Sequence, residues 1–394
     1  MGVSYYREPI GYIVMFIITL LMYVQFNVKI SSTLKKVVLI WSLYAFGLMI
    51  AYRTILEFFY LRNLIYILIT YLFVNIYGKS FFVLFEKYVY YLALISLIFF
   101  TWQYLDLISL SDFMNTFDVN SSTIQTVKSF DSNKSKNIII YTLNYNAFTN
   151  DAIRNCGFAW EPGPFSIFIV FAIYFNLLRT NMQIQKNRTL YILFFALVTT
   201  FSTTGYVAFG VIMLNFTTFN LKGPKKYLLT LLLGFIILSS FFYFDFLYNK
   251  ILTLYSSGNA EVLVKRVGET QDRVSLGRFS SLAIAWEDFK NHPLFGLGGA
   301  SQASVYGGYL VGRINIISGI SSIIRTYGLF GIILISFYLY KSSLLVATLF
   351  NSKTKYTLFY IILISLFGFQ IHVMTILFSI IFFSLFMPES KGVK

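Results

Sequence analysis

The chain has one cysteine, Cys156, two histidines, His292 and His372, and few charges, 12% of its 394 residues. One cysteine excludes an internal disulfide and any cysteine-cluster metal site. The histidines are far apart and form no HxxxH or HExxH spacing, so no metal or other cofactor is expected. Soluble domains carry about 25% charged residues. A chain this poor in charge, with 57% hydrophobic residues, cannot clothe a soluble surface. Acidic residues are scarce as well, 16 against 31 Lys plus Arg, for a net charge of +15. In a soluble chain that excess would suggest nucleic acid. Here topology accounts for it, and no nucleic-acid partner is expected. The stretch from Met1 to Pro9 lacks a basic region and a cleavage motif, so no cleavable signal is expected. There is no repeat of about 20–50 residues. There is no Walker loop either, since Gly296-Leu297-Gly298-Gly299 has no following Lys.

What the chain does have is a series of apolar runs. They lie at 10–27, 37–52, 60–77, 88–105, 161–179, 189–201, 205–219, 227–246, 318–340, 356–371 and 373–387. They predict an all-α, polytopic membrane protein with about eleven transmembrane helices. The runs 189–201, 205–219 and the last two are short for a crossing. The intervals between runs fall into two sets. One is short and basic, with Lys29, Lys35 and Lys36, Lys79 and Lys87, Arg179, Lys186 and Arg188, Lys222, Lys225 and Lys226, Lys341, Lys353 and Lys355, then Lys391 and Lys394. Only Glu86 and Glu389 are acidic among them. The positive-inside rule assigns this set to the cytoplasm. The whole chain then reads as a single transmembrane domain, 1–394, with its carboxyl terminus inside. Two long loops face outward, 106–160 and 247–317. The part from 106 to 138 is rich in Ser, Asn, Asp and Thr and reads as a loop with little core.

The longest polar interval, 261–331, organises the functional reading. Its apolar residues Phe279, Leu282, Ala283, Trp286 and Phe289 have helical spacing, and Pro293 stops that helix. The expectation is a short amphipathic helix on the outer surface, its aromatic face packed downward, followed by a turn that approaches the membrane. Arg278 opens the helix. Guanidinium groups bind phosphate oxygens in bidentate fashion and stay charged. Arg273 and Arg313 lie in the same loop, and Arg325 falls eight residues into the following apolar run. A charge at that depth costs about 2.5–3.5 kcal/mol on insertion scales unless it meets a wet cavity or a fixed anion. The plainer reading of Arg325 is snorkelling or an internal ion pair, for instance with Glu161. Arg53, near Glu57, invites the same question.

Trp160-Glu161-Pro162-Gly163-Pro164-Phe165 opens the fifth run. Pro162 and Pro164 suit a helix's first turn, which places Glu161 at its positive end. Glu161 reads either as a cap or as a carboxylate that takes a proton from an attacking hydroxyl. Arg154, seven residues earlier, could pair with it or bind phosphate. His292 lies in the turn before Pro293, where a local hydrogen bond is the ordinary role. Tyr206, with Ser202, Thr203 and Thr204, forms a polar turn that either contacts a sugar or ends two helices.

Three segments together resemble the O-antigen polymerase and O-antigen ligase superfamily of bacterial envelope glycosyltransferases. They are Trp160 through Phe165, the run Arg278…Trp286…Phe289…His292-Pro293-Leu294-Phe295-Gly296-Leu297-Gly298, and Tyr327-Gly328-Leu329-Phe330-Gly331. The resemblance implies an enzyme at the outer face of the inner membrane acting on undecaprenyl-pyrophosphate-linked oligosaccharide. It implies a metal-independent transfer in which an acceptor hydroxyl attacks the anomeric carbon with inversion. Arg278 and Arg325 would then meet the leaving pyrophosphate and Glu161 would be the base. Arg154, Arg273, Arg313, His292 and Tyr206 would bind substrate. The implied partners are the lipid-linked oligosaccharide, the bilayer and a chain-length regulator. Ligases of the family carry a His-Asn-like pair about ten residues before a GxxG pattern, and here Ile317 and Ser318 precede Gly328 and Gly331. That departure favours a repeat-unit polymerase over a ligase. A flippase for lipid-linked oligosaccharide is the rival from another class; it would be expected to show internal repetition and charges spread through several spans.

Overall fold

The computed structural model describes residues 9–55, 57–117, 135–138, 140–144, 153–159, 161–220, 223–224, 274–275, 278–305, 314–315, 318–369 and 375–387. The run 227–246, Arg273, Arg313, Trp160 and His372 lie outside them. Helices dominate: α1 Pro9–Phe26, α2 Ser32–Tyr52, α3 Glu57–Tyr77, α4 Ser80–Leu105, α5 Leu107–Phe117, α6 Pro162–Arg179, α7 Arg188–Thr199 and α8 Thr203–Asn220. They continue with α9 Arg278–Asn291, α10 Gly319–Leu349, α11 Thr357–Gly368, α12 Thr375–Ile381 and α13 Phe383–Phe386. The strands are short. β1 Ser135–Asn137 pairs antiparallel with β2 Thr142–Asn144, and β3 Val274–Ser275 pairs parallel with β4 Ile314–Asn315.

Five helical stretches are long and apolar enough to cross a membrane: α2, residues 59–77 of α3, α4, α6 and α10. With the shorter apolar helices among them, the chain is a multi-pass membrane protein of helical build. α7 and α11 have twelve residues each. At 1.5 Å per residue each is about 18 Å long, short of the roughly 30 Å hydrocarbon core. The expected span of 318–340 proves longer, running to Leu349, and it is interrupted at Gly328.

The chain divides into two compact units. The first comprises Met1–Gly11, Lys79–Ile237 and Ala347–Ser365. Its core is α6, whose residues from Pro162 to Leu178 are all buried. An α-helix that is apolar all round is stable only when surrounded. Neighbouring helices reach it closely where residues are small. A Cβ on Gly205 of α8 would stand 2.6 Å from Ser166, whose hydroxyl donates to Ser202 Oγ at 2.9 Å. At the other end of α6, Arg179 makes two hydrogen bonds to the buried Glu86 of α4, at 2.8 and 2.7 Å, and Asn176 donates to the same carboxylate. So the lone acidic residue of its basic loop is already spent.

Within the stretch from 106 to 138, the described residues 107–117 correct the sequence expectation. It holds α5, whose Leu110 and Met114 are fully buried with Tyr141 and Leu143 of the β1–β2 hairpin, against Phe99 and Trp102. Leu107, Leu110, Met114 and Phe117 carry helical spacing, and the Ser and Asp residues between them hid it in the composition.

The second unit comprises Tyr12–Gly78, Leu238–Val346 and Leu366–Lys394. In it α3 packs on α1 and α12 through Met15, Ile65, Tyr66, Ile69 and Phe378. A second apolar cluster joins Leu48 of α2, Phe59 of α3 and Ala300, with Trp41, Tyr44, Tyr52 and Tyr327 around it. α2 is capped at its start by Ser31 Oγ, which accepts from Leu34 N, and closed by Arg53 in the left-handed conformation.

Candidate functional site

The second unit brings the late motifs together. α9 ends at Asn291, the turn 292–298 follows, and that turn docks on α10 where α10 is broken. Gly328 has φ 59° and ψ −153°, a backbone region open only to glycine. The break frees main-chain groups, and the turn takes them up. Leu297 N donates to Arg325 O at 2.9 Å and Gly298 N to Thr326 O at 2.8 Å. In return Leu329 N donates to Pro293 O at 2.8 Å and Phe330 N to Leu294 O at 3.0 Å. Unpaired main-chain groups are prohibitive in a membrane, so the turn and the break require each other. Two tyrosines of α2 clamp the joint. Tyr44 donates to Phe295 O at 2.7 Å, and Tyr52 to Gly296 O at 2.9 Å.

Arg325 therefore sits on the last helical turn before the break. Its Nε donates to Asp288 Oδ2 at 2.7 Å. Asp288 is completely buried, and its oxygens also accept from Ser304 Oγ and from Val305 N. One carboxylate thus ties α9, the 301–305 turn and α10. The ion pair expected for Arg325 forms with Asp288. The bond uses Nε, and the Arg325 side chain as a whole is about a quarter exposed.

Arg278 opens α9, as expected. Its Nε donates to Gly368 O at 3.1 Å and its guanidinium lies 5.2 Å from the centre of the Phe369 ring. Ten residues of α9 separate Arg278 from Asp288, about 15 Å along the axis. Arg278 and the carboxylate that holds Arg325 thus stand toward opposite ends of α9.

The face of α9 that packs on the protein differs from the expected one. Ser280, Ser281, Ile284, Ala285 and Asp288 are buried, whereas Trp286 is half exposed and stacks on Phe289 at 5.3 Å. Helices in membranes pack through small and polar residues and leave large apolar side chains for the lipid, which reverses the soluble-protein rule.

His292 has a long-range partner. Its Nδ1 is 3.0 Å from the Tyr52 hydroxyl, which already donates to Gly296 O. With the Tyr52 hydroxyl proton given to Gly296 O, the contact is His292 Nδ1–H donating to the Tyr52 oxygen. Sequence reasoning missed Asp288 and Arg62 of α3. Position 288 shares a helical face with Ser281 and Ala285, a signal only when small residues are read as the packing face.

The first unit holds the other candidates. Glu161 is exposed at the N-cap of α6, with extended backbone and no capping bond from its side chain. Arg154 is committed to the end of α7, donating to Thr200 O at 3.1 Å and Phe201 O at 2.8 Å. Burial lowers its guanidinium below the ordinary arginine value, and Cys156, Tyr206 and Glu161 offset part of that. The Tyr206 hydroxyl donates to Val198 O at 2.7 Å, so it closes the α7–α8 turn. Gly157 is left-handed, φ 50°, with the Phe165 ring where a side chain would be, which fixes the approach to α6.

A protein-family model described as O-antigen ligase matches residues 189–336, well under half of the chain. The matched stretch contains Tyr206, α9, the 292–298 turn and the broken part of α10. The match supports placing it in the O-antigen polymerase and ligase superfamily, and it does not separate polymerase from ligase. Proteins of that family are glycosyltransferase-like enzymes acting on lipid-linked sugars. No curated protein and no solved structure matches the chain.

Proposed function

We propose that the chain is a surface-polysaccharide polymerase of the inner membrane, joining lipid-pyrophosphate-linked oligosaccharide repeat units at the outer face. The observation that carries this reading is Arg325. It is a charge inside an apolar helix, held by Asp288 through Nε, with its side chain about a quarter exposed. Such a group can stabilise a pyrophosphate as its bond to the sugar breaks. In the transfer the acceptor hydroxyl oxygen forms a bond to the anomeric carbon. The bond from that carbon to the pyrophosphate oxygen breaks, and the carrier lipid leaves with both phosphates. The hydroxyl proton passes to a base, for which Glu161 is the candidate. Arg278, at the far end of α9, meets a separate part of the donor or acceptor chain.

The absence of a histidine at Ile317 and Ser318 favours a polymerase over a ligase, although the family match accommodates both. Incubating membranes that contain the protein with a lipid-linked repeat unit tests the reading. Long chains on the carrier lipid support a polymerase. Transfer to a lipid A core acceptor without chain growth makes the protein a ligase, and translocation without any transfer makes it a flippase.

A further inference from the structure

We infer that Arg62 of α3 forms an anion site inside the membrane, with Tyr327 beside it, that takes the phosphate of a lipid. Arg62 lies five residues past the start of α3, about 7 Å along the axis from its end. Charge asymmetry assigns that end to the outer side. A charge inside a span is costly unless a partner of opposite sign meets it. No such partner is present among the described residues. In this unit the acidic side chains that the structure describes are Glu287, paired with Lys290 at 2.8 Å, and Asp288, whose oxygens serve Arg325, Ser304 and Val305; the side chain of Glu57 lies outside them.

What surrounds Arg62 is neutral and polar. The Tyr327 hydroxyl donates to Asn63 Oδ1 at 3.0 Å and its oxygen is also a hydrogen-bond partner of the Arg62 side chain. Asn63 is itself buried, its amide bonded to Phe59 O at 2.8 Å. The Arg62 Nε is buried with no hydrogen-bond partner. Buried polar atoms are normally paired, and an orphan nitrogen on a guanidinium with no counter-ion among the described residues marks the place of a missing acceptor. The acceptor must be anionic, must reach a depth just below the membrane boundary, and must offer oxygens to a guanidinium. A lipid-borne phosphate meets all three requirements, whether it belongs to a bilayer phospholipid or to an undecaprenyl carrier. Tyr327 follows Arg325 by two residues, so the site adjoins the break in α10. The inference does not depend on what reaction the protein catalyses.

Binding tests it on the full-length protein in nanodiscs of phosphatidylcholine, with two probes, undecaprenyl pyrophosphate and phosphatidylglycerol. Wild type should bind at least one, and Arg62→Gln should bind it about 10-fold more weakly, the loss of one charge-assisted contact. Arg62→Lys should fall between, because it keeps the charge and loses the bidentate geometry. Dependence on Arg62 for undecaprenyl pyrophosphate alone identifies a carrier site. Dependence for phosphatidylglycerol alone identifies a structural lipid site. Equal binding of both probes by wild type and Arg62→Gln overturns the proposal. If Arg62→Gln does not fold, Arg62→Lys decides, and affinities unchanged for both probes overturn it equally.

Discussion

Gly296 and Gly328 meet backbone to backbone: a Cβ built on either would lie 2.6 Å from the amide nitrogen of the other. Both have positive φ, 66° and 59°. The pair joins the outer turn to the broken helix, and Arg325 sits just before the joint.

Gly296→Ala and Gly328→Ala should each separate the turn from α10. Left-handed backbone costs an ordinary residue about 1–2 kcal/mol and overpacking a further 1–3 kcal/mol. A loss of about 2–5 kcal/mol of stability and of chain growth is expected, read by thermal unfolding and by the polymer ladder on gels. Gly223→Ala is the control, since Gly223 also has positive φ, 67°, but nothing within 4 Å. Glycine pairs that tolerate alanine as well as Gly223 does would show that the close approach has no consequence.

Arg325→Ala and Arg278→Ala should each abolish chain growth while the protein still inserts. A lost charge-assisted contact costs about 1.5–3 kcal/mol before any transition-state effect. Lysine should rescue poorly at both positions. Wild-type polymer from both alanine variants removes the arginines from the mechanism.

Asp288→Asn keeps the volume and removes the charge that holds Arg325. Breaking a buried ion pair costs about 3–5 kcal/mol, and the unpaired Arg325 should lose its orientation. Turnover is expected to fall at least as far as thermal stability predicts, with weaker donor binding. A variant with normal stability and normal donor affinity contradicts the positioning role.

Glu161→Gln should keep donor binding and lose turnover by a factor of about 10² to 10⁴, as for removal of a general base. Glu161 makes no capping bond with its side chain, so a cap role gives Gln no reason to differ. Lost binding would point to an electrostatic role toward Arg154, and retained turnover would exclude the base.

A phosphatase or fluorescent-protein fusion after Lys394 should report the cytoplasm. Periplasmic phosphatase activity there would invert the topology and with it the outward assignment of α9.

The apolar runs were legible because a bilayer demands them in the sequence itself. The start of α6 was legible from Pro162 and Pro164, and the end of α9 from Pro293. The break in α10 was not. Tyr327-Gly328-Leu329-Phe330-Gly331 reads as continuous helix, and only the carbonyls of Pro293 and Leu294 make the interruption stable. Asp288 was hidden for a similar reason. A carboxylate in an outer loop reads as solvated until a distant Arg325, Ser304 and Val305 are placed around it. Arg62 drew no reading at all, since one charge near a span end is ordinary. α5 escaped because composition outweighed periodicity.

The joint between the turn and α10 is made by main-chain atoms. Its four hydrogen bonds require glycine at 296 and 328 and ask nothing of the side chains of Leu294, Phe295 or Leu297. The chain outside 293–298 can therefore vary without touching these four bonds. The anchor behaves as a socket, and a loop transplanted from another chain with a glycine at the position of Gly296 should seat against Gly328.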